Sequence, residues 1–113
     1  MKDNANFTPA ENHKLSDLVE YSKSSVVSRT IHNSAGATMT VFAFDKGQEL
    51  SEHTAPFDAF VQVLDGEVEL IIGGKPVKTA QGEITLMPAN VPHAVKCQVP
   101  FKMLLTMIKQ IGS

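Results

Sequence analysis

From Ser24 onward, apolar and polar residues alternate in short runs broken by turn residues, a pattern that predicts strands rather than helices. The runs cover residues 25–32, 37–44, 59–64, 67–72, 83–87, 93–99 and 101–108. Between them lie Asn33-Ser34-Ala35-Gly36, Asp45-Lys46-Gly47, Gln81-Gly82 and Pro88-Ala89-Asn90-Val91-Pro92. Glycine supplies positive φ there, proline a fixed φ, and the Asx residues tolerate the left-handed region. Asp65-Gly66 predicts a two-residue hairpin turn, and Gly73-Gly74 predicts another. A period of two then sorts faces: Val68, Leu70 and Ile72 point one way, Glu67, Glu69 and Ile71 the other. Evenly spaced strands of this kind imply an all-β sandwich or barrel.

The last run differs because both of its faces are apolar. Met103, Leu105 and Met107 lie on one side, Leu104 and Ile108 on the other, so something other than solvent should cover each. A second copy of the chain is the expected cover, making a homodimer whose interface includes Phe42 or Phe44, Leu104 and Ile108.

Residues 1–23 read as an N-terminal arm, and residues 24–113 as the barrel. Thr8-Pro9-Ala10-Glu11 fits a capping box with proline at the first helical position, and Leu15, Leu18 and Val19 follow at helical spacing. A short helix or single turn is expected between Asn12 and Tyr21.

Composition narrows the function classes. With 113 residues the chain is one domain, and 42% hydrophobic with 19% charged residues is a globular balance. A formal charge of -2 without a basic stripe excludes nucleic acid as the expected partner. The first twenty residues hold no apolar stretch of signal-peptide length, and the run from Met103 to Ile108 is far too short to span a membrane. A cytoplasmic location without membrane association is therefore expected. The single cysteine, Cys97, cannot close an internal disulfide and reads as a small apolar filler. No phosphate-binding glycine loop, nucleophile elbow or cysteine pair is present.

Of the four histidines, His13 falls in the arm and His32 at a strand end, both expected at the surface. His53 and His93 lie in a patterned context. Gly47 is followed after five residues by His53-Thr54-Ala55, after three more by Ala59 and after six more by Gly66. Gly82 is followed after five residues by Pro88-Ala89-Asn90-Val91-Pro92-His93 and after three more by Cys97. Over about Gly36 to Ile108, these spacings resemble the two motifs of the cupin superfamily, and most closely its small single-domain conserved barrels.

The resemblance implies a double-stranded β-helix, that is, a jelly-roll β-barrel. It also implies a site, because metal-binding cupins use two histidines and a glutamate from the first motif with a histidine from the second. Here the second histidine and the glutamate are replaced by Ala55 and Ala59, leaving His53 and His93. Two imidazoles fall short of the three protein ligands of catalytic zinc sites. The expected function is therefore binding of a small organic molecule, in a pocket made by His53, His93, Ala55, Ala59, Val61, Met87 and Met103, with no cofactor. Val63, Met39 and Met107 are expected nearby. Such methionines read first as core, although thioether and imidazole together also suit copper(I).

The alternative is a metal-dependent enzyme of dioxygenase or isomerase type, holding iron, nickel, zinc or manganese on His53, His93 and a third ligand. Asp58 or Gln62 are the candidates for that ligand, with Glu49 and Glu52 behind them. Strand parity turns Asp58 and Gln62 away from Ala59 unless a bulge near Pro56 shifts the register.

Overall fold

The alternating runs become antiparallel strands in the computed structural model, which describes residues 7–109. The strands are β1 (Val26–Asn33), β2 (Ala37–Phe44), β3 (Glu49–His53), β4 (Asp58–Asp65), β5 (Glu67–Ile72), β6 (Lys75–Ala80), β7 (Ile84–Met87), β8 (His93–Lys96) and β9 (Phe101–Ile108). They form two sheets, ordered β1-β2-β9-β4-β7 and β3-β8-β5-β6, which face each other as a jelly-roll barrel. The first six residues of the expected arm, and residues 110–113 of the expected barrel, lie outside the described residues.

Period-two alternation places the core. Phe42 and Phe44 of β2, Ala59, Val61 and Val63 of β4, and Phe101 and Met103 of β9 all face the opposite sheet, where Val68, Leu70 and Val95 meet them. Phe44 and Phe101 are register partners, fully buried, with ring centroids 4.7 Å apart. Burying each such ring contributes about 2–3 kcal/mol.

Two strands have too little alternation to be read from sequence. Both β3 and β6 are edge strands. β3 carries Leu50 as its only aliphatic residue, and β6 carries Pro76, which an edge tolerates because its missing N–H need not join a ladder. Gly73 and Gly74, with φ of 58° and 82°, make the expected hairpin between β5 and β6.

Asp65-Gly66 does not make the expected hairpin. β4 and β5 belong to different sheets, so this dipeptide is the corner where the chain crosses from one to the other. Gly66 has φ of 75°, and a Cβ added there would lie 2.3 Å from the Pro100 carbonyl oxygen. Glycine is required twice over, by backbone conformation and by close approach.

At Leu104 the outer face of β9 is covered within the chain. Phe7, Leu15, Leu18 and Val19 pack over Ile31, Val41, Ala43 and Leu104, with Met39 and Leu64 at the margin. Among its described residues the arm forms a single 3-10 turn, Leu15–Asp17, and the capping box opens no helix because Ala10 has φ of 64°. Barrel side chains take carbonyls that a helix would have used itself: the Lys102 Nζ donates to Ser16 O at 2.6 Å and Arg29 to Leu18 O at 3.4 Å. Tyr21 donates its hydroxyl to Asp65, and burial, together with this contact, raises the phenol far above its ordinary value.

This cover corrects the residues expected at a dimer interface. Phe42 and Phe44 point inward and Leu104 lies beneath the arm, leaving Ile108 exposed. On the second sheet, Glu49, Lys96, Glu69 and Lys78 stand side by side across four strands with alternating sign, an exposed charge ladder suited to solvent. Among the described residues, no helix is long and apolar enough to cross a membrane.

Candidate functional site

His53 and His93 are brought together by strand register. They are partners across β3 and β8, with ring centroids 4.4 Å apart at an interplanar angle of 71°. In β3 the pairing advances three residues, Leu50 to His53, while β8 advances two, Val95 to His93. That extra residue is a bulge, and it lets Leu50 and His53 line the same cavity although strict parity would separate them.

Each imidazole is clamped in the same way. Nδ1 of His53 donates to Ser51 O at 2.8 Å, and Nδ1 of His93 donates to Val91 O at 3.2 Å. A carbonyl can only accept, so Nδ1 carries the proton in both rings and, when the ring is neutral, Nε2 is left as a lone pair. His93 is buried, and desolvation pushes its pKa below the ordinary histidine value. The Val91 carbonyl opposes that shift, and the neighbouring His53 adds to it. Its Nε2 has no protein partner, yet no buried side-chain nitrogen or oxygen among the described residues lacks one. Nε2 of His93 therefore opens onto accessible space.

Between the sheets lies a cavity of about 60 Å³, walled by Leu50, His53, Ala55, Ala59, Met87, His93, Val95, Met103, Leu105 and Met107. Ala59 lies between Met87 and Met107, its register partners on β7 and β9, so its small side chain leaves room for two thioethers. Asn90 takes φ of 65° and donates its backbone amide to Ala55 O at 2.8 Å. Asparagine is among the few residues that enter this region readily. The contact ties the segment before His93 to the loop after His53.

Six of the seven expected pocket residues meet there: His53, His93, Ala55, Ala59, Met87 and Met103. Val61 does not reach the cavity and is fully buried in the core. Val63 is likewise core, and Met39 lies under the arm on the outer face. Leu105 shares the Met103 and Met107 parity, and that signal was available in the sequence. Leu50 depends on the bulge, which leaves no sequence signal. His13 is half-buried, stacked on Phe7 with centroids 4.2 Å apart, whereas His32 is exposed as expected. Cys97 is buried beneath the Asp45 and Gln48 carbonyls, and burial raises its thiol pKa.

The proposed third metal ligands lie elsewhere. Register is unbroken from Asp58 to Val63, so no bulge turns Asp58 or Gln62 inward. Both are exposed, and the Asp58 carboxylate accepts the Ala89 amide at 2.9 Å. Among the described residues, no group of three or more His, Cys, Asp or Glu side chains could hold a metal ion. The donors present do not fit the three-ligand or four-ligand set of a divalent zinc or iron site.

Fold and site together define a small antiparallel barrel with a histidine-edged, methionine-walled pocket. The family model described as Cupin domain matches residues 40–108, and the chain belongs to that family. It is similar to a conserved protein of unknown function from Streptococcus pyogenes, with 34% identity and a TM-score of 0.89 over 95% of this chain and 94% of that one. A cupin 2 conserved barrel domain protein from Leptotrichia buccalis shows 42% identity and a TM-score of 0.81; the match covers 83% of this chain and 46% of that one. A cupin superfamily protein from Desulfitobacterium hafniense, 22% identical over 91% of this chain and 94% of its own, shares the fold with a TM-score of 0.85. A comparison with curated proteins finds no match.

Proposed function

We propose that this cupin binds a small organic molecule with an apolar body and one hydroxyl or N–H group, donated to the histidine pair. The observation carrying this reading is the identical anchoring of both Nδ1 atoms to carbonyls, which leaves Nε2 as the free lone pair of two histidines that line an apolar cavity. An acceptor without a partner there favours a ligand that brings a donor. Size limits it further: about 60 Å³ is well below the roughly 150 Å³ cavity that accommodates benzene.

A probe of that size, 2-propanol, should shift the methyl resonances of Met87, Met103 and Met107 in protein labelled with carbon-13 at methionine methyls. Met39, on the other side of the sheet, should not move. At no more than about 1.5 kcal/mol per heavy atom, the expected Kd is roughly 0.1–10 mM. Non-saturating shifts, or shifts of Met39 equal to the others, would count against the reading.

We also propose a homodimer, on the half of the outer face that the arm leaves open. Ile84, Leu86 and Ile108 are exposed there, and Phe60 lies between Leu86 and Thr106 in register. Sedimentation at micromolar concentration should give a dimer that Leu86→Lys converts to monomer; a monomeric parent protein rejects it.

A further inference from the structure

We infer that the same cavity is a site for a soft monovalent transition-metal ion, copper(I), held by His53 and His93 with thioether ligation from Met87 and Met107. This inference uses the cavity but does not depend on the organic ligand proposed above.

The donor set discriminates between metals. No carboxylate lines the cavity, so a hard cation finds no charged oxygen partner among its walls. The donors present are two imidazole nitrogens and thioethers, all neutral. Thioether sulfur selects copper(I) among first-row ions, and imidazole suits it as well.

Placement supports the same conclusion. In register, Ala59 stands between Met87 and Met107, so the two thioethers flank the position where the family motif has its glutamate. A cavity this small brings wall atoms close to its centre, and an unbranched methionine can re-aim its sulfur by rotamer changes alone. The Ser51 and Val91 carbonyls orient the imidazoles from behind, the role that outer hydrogen bonds perform for metal-bound histidine. Met103 completes the sulfur-bearing wall.

The test is an anaerobic titration of the untagged full chain with copper(I) in competition with bathocuproine disulfonate, with zinc(II) titrated alongside. One equivalent of copper(I) should bind tightly enough to compete, with zinc(II) weaker by at least about 100-fold. Met87→Leu with Met107→Leu conserves volume and should keep the fold, checked by thermal melting. It should weaken copper(I) at least tenfold, whereas Met39→Leu, on the other side of the sheet, should leave copper(I) affinity unchanged. His93→Ala should weaken copper(I) as well. Failure to compete, or affinity unchanged in the double leucine variant, overturns the inference. Failure of 2-propanol to bind while copper(I) passes both tests rejects only the organic-ligand reading.

Discussion

Gly66→Ala should lower stability by more than about 3 kcal/mol, which in a domain of this size moves the melting temperature by upwards of about 12 °C. Positive φ alone costs an L-residue about 1–2 kcal/mol, and a Cβ placed 2.3 Å from the Pro100 carbonyl oxygen adds a clash that side-chain rotation cannot relieve. Relief would require the backbone at the start of β9 to retreat, carrying Phe101 out of its stack with Phe44. Gly74→Ala is the matched control. It has φ of 82° with no atom within 4 Å of the added Cβ, so it should cost only the conformational part. Equal losses in the two variants would show that the sheet-to-sheet corner does not depend on close approach.

The second large effect is a gain. Ala55→His combined with Ala59→Glu should raise affinity for zinc or nickel by roughly 10⁴-fold over the parent chain. Four-ligand sites bind zinc with about 10–16 kcal/mol, roughly 3 kcal/mol per ligand, and the substitutions supply two ligands beside a histidine pair already oriented through its Nδ1 atoms. Both alanines already line the cavity, so the added side chains start from the right wall. Competition with a chromophoric chelator measures the gain. A rise of less than tenfold in a variant that still melts cooperatively would mean that these alanines are not what separates this pocket from a metal cage.

Much of the barrel was legible because burial enforces period two. β2, β4, β5 and β9 each bury one face against the opposite sheet, and their runs show it. β3 and β6 were hidden because edge strands meet fewer apolar neighbours and carry lysines, glutamates or proline. Asp65-Gly66 was misread because a hairpin and a sheet-crossing corner ask the same thing of a dipeptide, positive φ at glycine; only the Pro100 carbonyl distinguishes them. At the site, spacing brought His53 and His93 together, and parity kept Asp58 and Gln62 out. Val61 was misplaced because parity gives a residue's face but not its depth. The bulge that brings in Leu50 is a property of pairing, which the order of residues in β3 alone does not reveal.

In both histidines the carbonyl partner fixes the ring proton on Nδ1, leaving Nε2 as the lone pair of the neutral ring. Long-range proton–nitrogen correlation spectra of the histidine rings, recorded on metal-free protein between pH 5 and 8, test it directly. At pH 8 both rings should show the Nδ1–H tautomer with bare Nε2, and His93 should stay neutral below the ordinary histidine pKa of about 6.5, taking up its proton only at lower pH. An Nε2–H tautomer in either ring would show that the Ser51 and Val91 carbonyls do not set the tautomer, and His93 titrating above the ordinary value would show that burial does not govern its proton.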